Sequence, residues 1–370
     1  MILPKLQNKL YKIVLKPILF KLDPEFIHDL FIKIGVLLGS WSLMRWKIKM
    51  LYQFRDSSLE QNILGIHFTN PVGLAAGFDK NAQLTKILPD VGFGFQEIGS
   101  ITGRTCHGNA KPRLWRIPKS RGLIVYYGLK NKGCKALAKQ LQDKTFNYPV
   151  GVSIAKTNDQ RTVTEEQGIK DYAHAFKTMK DVGDFFVINT SCPNAFGGEP
   201  FSDPLKLEKL LERLDKIETN KPIFLKIAVD TTNNELDQLI EVAKKHRVHG
   251  FVVANLTKNY QSTLVQQEEV PKTAKGGVSG KPMQQLSDDL IAHLYQTVGN
   301  KFVIVGVGGI FSAEDAYRKI KNGANLVELI TGMIYEGPQL IGEINQGLTK
   351  LLQKDGYKNI AEAVGANFRK

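Results

Sequence analysis

The sequence predicts an α/β fold: a (β/α)8 TIM barrel with an N-terminal helical extension. Three observations lead there. From residue 61 onward, eight short runs of β-branched, aromatic and small apolar residues alternate with helical stretches. The runs are nearly continuous in apolar character, as parallel strands buried on both faces must be. Polar residues gather at their C-terminal ends, where barrels build their sites. A doubly wound open sheet is the alternative arrangement of the same pattern.

The runs are Val72–Phe78, Phe93–Ile101, Pro149–Ala155, Phe185–Thr190, Pro222–Ala228, Gly250–Leu256, Phe302–Val307 and Leu326–Ile330. The first ends in Asp79-Lys80-Asn81 and the second in Gly99-Ser100. The third carries Ser153 and leads to Lys156, and the fourth ends in Asn189-Thr190-Ser191-Cys192-Pro193-Asn194. Lys226 stands on the fifth and Asn255 on the sixth. The seventh ends in Gly306-Val307-Gly308-Gly309 and the eighth in Thr331-Gly332. Glycines after strands seven and eight suit a barrel phosphate site, because backbone N–H groups can approach an anion there. Gly276-Gly277-Val278-Ser279-Gly280 reads as a further glycine-rich loop after strand six.

Lys80 and Lys226 at one mouth favour a ligand with delocalised negative charge, such as a reduced flavin or a carboxylate. Asn189, Asn194 and Asn255 can each donate and accept, which suits a ring carrying amide groups. Cys192 lies among them, and its ordinary pKa of about 8.5 lets a modest shift make it a proton acceptor. A lone cysteine is otherwise a small buried hydrophobe, the reading given to Cys106 and Cys134. Lys80 also has a plainer reading, as the partner of a buried acid, Asp79 or Glu97. The seven histidines show no metal pairing, and His28 and His67 read as packing or capping residues.

The 370 residues are 42% hydrophobic and 23% charged, which excludes a disordered chain. One barrel over residues 61–370 after an extension over residues 1–60 accounts for the length. Three cysteines without metal-ligand spacing or an even disulfide count point to a reducing compartment. The net charge of +14 invites nucleic acid, an anionic membrane or small anionic ligands. No nucleic-acid motif is present, and only the extension concentrates the charge.

That extension holds ten Lys and Arg against five Asp and Glu. Leu3, Leu6, Leu10, Ile13 and Val14 recur at helical spacing. Asp23-Pro24-Glu25 is a helix start, with Asp as N-cap and Pro in the first turn. A third segment sets Trp41, Leu43, Met44, Trp46, Ile48, Met50 and Leu51 among Arg45, Lys47 and Lys49. Such segments suit either a membrane interface or helices packed on the barrel. The longest uncharged stretch there, Ile34 to Met44, is too short to span a bilayer, which needs about 20 apolar residues.

The chain resembles the dihydroorotate dehydrogenases. The resemblance is carried by Asn70 to Lys80, Gly92 to Ser100, Asn189 to Asn194, Leu225-Lys226-Ile227-Ala228, Gly276 to Pro282 and Gly306 to Ile310. The leader with Leu22-Asp23-Pro24-Glu25 and His28 is similar to that of the membrane-associated, quinone-using class 2 branch. The resemblance implies FMN at the barrel mouth, contacted by Ala76, Gly77, Lys80, Ser100, Asn189, Lys226, Gly280, Gly309 and Thr331. It implies Lys80, Asn189, Asn194 and Asn255 as contacts to dihydroorotate or orotate, and Cys192 as the base that takes the C5 proton. Its implied partners are a membrane quinone and, through the N-terminal helices, an anionic membrane surface at the cytoplasmic face, with no nucleic acid. Several positions depart from the family. Class 2 members carry Ser where Cys192 stands. Val125 replaces an Asn and Leu256 a Thr or Ser at substrate positions. Tyr126 replaces an Arg and Ile330 a Tyr near the quinone, and Ser153 replaces a flavin-contacting Asn. These leave a second expectation open: an FMN oxidoreductase on the same scaffold with another substrate or acceptor.

Overall fold

The computed structural model describes residues 8–198 and 200–369. Eight parallel strands close into a barrel. They are β1 (Val72–Leu74), β2 (Phe95–Ile101), β3 (Val150–Ile154), β4 (Phe185–Asn189), β5 (Ile223–Ile227), β6 (Gly250–Val253), β7 (Val303–Val307) and β8 (Leu326–Leu329). Strands pair in chain order, and β8 closes the ring on β1. The open-sheet alternative is thereby excluded. Helices such as Glu165–Met179, Pro204–Asp215 and Gln284–Val298 return the chain between strands. β1 stops at Leu74, short of the expected Phe78, because the chain turns toward the mouth. Gly77 takes φ +109° there, and its N–H donates to the Gly99 carbonyl at 2.8 Å.

Alternation along the strands layers the barrel interior. Phe95, Phe185, Val187, Phe224, Val252, Val305 and Leu326 form one buried cluster at its floor. Phe68 joins them from a hairpin, Gln61–Ile63 with Ile66–Phe68, and meets the Phe95 ring edge-on at 5.4 Å. The hairpin turns at Leu64-Gly65, with φ of 50° and 80°, as a two-residue turn of that hand requires.

A second sheet overturns one expectation. Gly277–Gly280 is not a free glycine-rich loop but a strand. It pairs antiparallel with Gly122–Val125, which pairs in turn with Leu114–Ile117. The glycines serve close packing: a Cβ on Gly276 would lie 2.0 Å from the Val125 carbonyl oxygen, and one on Gly277 2.5 Å from Leu256.

Within the extension, residues 8–19 are helical, and two longer helices follow, α1 (Pro24–Ser40) and α2 (Ser42–Tyr52). Leu3 and Leu6 lie outside the described residues. Asp23 caps α1 by accepting from the Phe26 N–H at 2.7 Å. One face of these helices packs on the barrel. Arg45 pairs with Asp90 at 2.7 Å, and Tyr11 donates to the Ile334 carbonyl. The other face leaves Leu37, Trp41, Leu43, Trp46 and Met50 more than half exposed. No single described helix is long and apolar enough to cross a membrane, and α1 and α2 meet at a 110° bend.

The firmest tie between α1 and the barrel side is ionic. Glu25 is 3% exposed and accepts from Arg113 Nη2 at 2.7 Å and Nε at 3.0 Å, with Lys130 at 3.3 Å. Burial raises its pKa, but the Arg113 bonds and charge prevail and pull it down to about 2. Removing one member of a buried pair strands the other, at about 3–5 kcal/mol. Glu25→Ala is therefore expected to lower the urea midpoint by that energy divided by the unfolding m-value, a shift of about 1 M or more. The folded pKa lies below the unfolded value, so this stabilisation is complete above pH 4.5 and fades as pH falls toward 2. An unchanged midpoint at pH 7 would show that the pair does not fasten the leader.

Candidate active site

One cavity of about 570 Å³ opens at the C-terminal end of the barrel and continues between the leader helices. All of the sequence-predicted site residues line it: Cys192, Lys80, Asn189, Asn194, Asn255, Ala76, Gly77, Ser100, Lys226, Gly280, Gly309 and Thr331. Barrel closure is what assembles them. Asn189 and Lys226, 37 positions apart in the chain, are paired neighbours across β4 and β5. The far end of the cavity is lined from the extension by Phe20, Ile27, His28, Phe31 and Leu38, so its character turns apolar there.

The mouth holds a hydrogen-bonded row. Asn189 Nδ2 donates to Ser100 Oγ at 2.8 Å, and Ser100 Oγ meets Ser153 Oγ at 2.8 Å. Ser153 is therefore a support for Ser100 and does not itself line the cavity. Asn255 is held by its own neighbours: Nδ2 donates to the Ser191 carbonyl at 2.8 Å, and Oδ1 accepts from the Leu256 N–H at 2.9 Å. Asn194 Nδ2 donates to the Val125 carbonyl at 2.8 Å, while its buried Oδ1 has no partner among the described residues.

Lys80 does not pair with Asp79 or Glu97. Asp79 accepts from the Gln83 and Leu84 N–H groups, and Glu97 lies 3.5 Å from Lys226. The Lys80 ammonium stands 4.1 Å from the Tyr127 ring centroid and 3.4 Å from His28 Nε2. Burial pulls its pKa down to about 7, against the smaller opposing effect of the Asp29 carboxylate. His28, half-buried and next to Lys80, is pulled down to about 4 by desolvation and then by the Lys80 charge, and holds the Phe78 carbonyl at 2.9 Å. It packs and hydrogen-bonds, as expected, and no group of metal-binding side chains occurs among the described residues.

Cys192 is half-buried on the loop after β4. The Lys156 ammonium acts on it electrostatically while donating to the Phe196 carbonyl at 2.5 Å. Cys106 and Cys134 are buried and donate to the carbonyls of Gly128 and Gly103.

The residues present fit an FMN. A Cβ on Gly77 would meet nothing within 4 Å, so a side chain there would project into the space a ring needs. Gly308 and Gly309 have φ of +116° and +69° beside Thr331, whose hydroxyl meets Ser279 Oγ at 2.8 Å. Backbone N–H groups and hydroxyls of that kind are what a phosphate needs.

Three site features escaped the sequence. Tyr127 and Arg116 line the cavity, whereas Tyr126 does not. Arg116 donates to the Leu22 carbonyl at 2.7 Å and so also holds the leader. Glu328, fully buried, faces Glu97 beneath the mouth. Only the alternation of Leu114, Trp115 and Arg116 along a short strand hinted at any of them.

Known proteins resemble this chain over most of its length. A family model described as dihydroorotate dehydrogenase matches residues 58–352. A protein of Trichodesmium erythraeum named dihydroorotate dehydrogenase (quinone) is 38% identical over 96% of this chain and 98% of its own length. A protein of Nostoc punctiforme with the same name is 36% identical over 97% and 99%. Among solved structures, DHODH of Eimeria tenella in complex with ferulenol superposes with a TM-score of 0.84 at 29% identity, covering 94% of this chain and 96% of its own. The chain thus belongs to the dihydroorotate dehydrogenase family and is an enzyme of its quinone-type, class 2 branch.

Proposed function

We propose that this enzyme binds FMN, oxidises dihydroorotate to orotate in de novo pyrimidine synthesis, and passes the electrons to a membrane quinone. The observation that carries the reading is one continuous cavity that joins the polar barrel mouth to an apolar channel between leader helices. A polar ring fits one end and an apolar acceptor the other. The leader, residues 1–60 in this division, would lie on an anionic membrane at the cytoplasmic face, and residues 61–370 would hold the chemistry. Its exposed Trp41, Trp46 and Met50 beside Arg45, Lys47 and Lys49 support that placement.

Bound FMN supplies the hydride acceptor. The chain's residues do the rest. Cys192 takes the C5 proton, with the Lys156 ammonium favouring its thiolate. Lys80 offers positive charge to the substrate carboxylate. Asn194 Oδ1, without a partner among the described residues, accepts from a ring N–H, and Asn189 orients the ring from the Ser100 row. Lys226 sets a cation where negative charge arrives with the hydride. Ala76, Gly77, Gly280, Gly309 and Thr331 hold the cofactor's ring and phosphate.

A second substrate class remains in view for one reason. Val125 and Leu256 line the cavity without side-chain polarity, and both polar atoms of Asn255 are engaged within the protein. Each ligand polar group left unpaired costs about 1–3 kcal/mol. The test is anaerobic addition of dihydroorotate to the FMN-loaded protein, which should bleach the flavin. Menaquinone or ubiquinone in anionic vesicles should then restore the colour and fumarate should not. A protein that refuses FMN overturns the cofactor, and an unbleached flavin overturns the substrate.

A further inference from the structure

Three strands place charged side chains in one layer of the barrel interior. Phe95, Phe224 and Leu326 belong to the floor cluster. Two residues further along the same strands stand Glu97, Lys226 and Glu328, which alternation puts on the same inward face. β1 contributes only Gly73 between them, paired to Glu328 on one side and Phe95 on the other. A Cβ there would lie 2.4 Å from the Phe95 ring. With no side chain from β1 in the way, Glu328 reaches Glu97 across it. All three residues are buried, Glu97 and Glu328 with 0% exposure.

The layer does not balance as two carboxylates and one ammonium. Lys226 Nζ reaches Glu97 Oε2 at 3.5 Å. Glu97 Oε1 and both oxygens of Glu328 have no donor among the described residues. Two carboxylates cannot hydrogen-bond each other, and an unneutralised charge in such a place costs several kcal/mol. A single proton resolves both faults: it removes the excess charge and turns one acceptor into a donor.

We propose that Glu328 is a proton-bearing carboxylic acid that donates to Glu97, leaving Glu97 as the sole counter-charge of Lys226 at the floor of the cofactor site. It is a positioning residue, acting through Glu97 and Lys226, which are the titratable groups that face it. Burial first, then the charge of Glu97, push its carboxyl well above the ordinary range, in keeping with a retained proton. Were Glu328 ionised, Lys226 would be overcompensated, and the layer would oppose the negative charge that arrives with a hydride. The role toward the cofactor rests on the FMN reading; the proton does not.

Infrared difference spectroscopy tests the proton on the protein with or without FMN. Wild type minus Glu328→Gln should show the carbonyl stretch of a protonated carboxylic acid at pH 7. Glu97→Gln should abolish that band, because Glu328 must then ionise to serve Lys226. With FMN bound, the flavin midpoint potential should be the same in Glu328→Gln, which keeps a neutral donor. It should fall in Glu328→Ala, which leaves Glu97 Oε1 without one. Raising the pH should depress the wild-type potential beyond the flavin's own slope, and this extra slope should vanish in Glu328→Gln. A wild type with carboxylate bands alone overturns the proposal, whatever the protein binds. A retained acid band with potentials indifferent to Glu328→Ala overturns the tuning role. Protein that shows the band yet refuses FMN removes the flavin reading and leaves the proton in place.

Discussion

Cys192→Ala is expected to slow flavin reduction by dihydroorotate by roughly 10²–10⁴-fold, the usual contribution of a positioned general base. The loop after β4 brings this thiol to the mouth beside Asn189 and Asn194, and the Lys156 ammonium acts on it from the end of β3. A thiolate beside an ammonium is favoured over one without it, which is why Lys156 enters the test. Cys192→Ser should keep measurable reduction with its pH profile moved upward, since a hydroxyl is a far weaker acid. Lys156→Met should move the wild-type profile the same way. Stopped-flow reduction at several pH values measures all three, and a Cys192→Ala rate equal to wild type would remove the residue from the mechanism.

The second large effect concerns Lys80 and pH. Its pKa in the free site is about 7, against 10.5 ordinarily. Between these values the folded protein binds one proton fewer than the unfolded chain, so this residue adds to stability as pH rises through that window. An anionic ligand restores the charge and takes up a proton. Orotate affinity should therefore fall roughly tenfold per pH unit above pH 7, until the pKa in the complex is reached. Calorimetry from pH 6 to 9 in buffers of different ionisation heat should find weakening affinity and proton uptake. Lys80→Met should bind weakly at every pH and show neither trend. A flat wild-type affinity across this range would mean that Lys80 stays charged in the free site or does not meet the ligand.

Much of the barrel was legible because parallel strands are buried on both faces, so their composition alone marks them. All eight runs form barrel strands, and the polar residues at their ends converge on one cavity. The Asp23 cap was legible for a similar reason: it acts within a few residues of itself. The misreadings share a cause. Gly277–Gly280 looked like a loop because its partner strand, Gly122–Val125, lies some 150 residues earlier. Lys80 was offered Asp79 as a partner by adjacency, yet Asp79 turns to the Gln83 and Leu84 N–H groups.

By itself, the sequence determined the fold class, the helical leader and the residue types at the mouth, since each follows from short-range pattern and burial. Only the tertiary structure decided which of those side chains meet. Glu25 finds Arg113 across 88 positions, and Glu97 finds Lys226 across 129. Glu328 is left facing Glu97 with three carboxylate oxygens lacking a donor. Such pairings depend on strand register and barrel closure, and a local pattern cannot contain a contact whose geometry is set by residues from three strands at once.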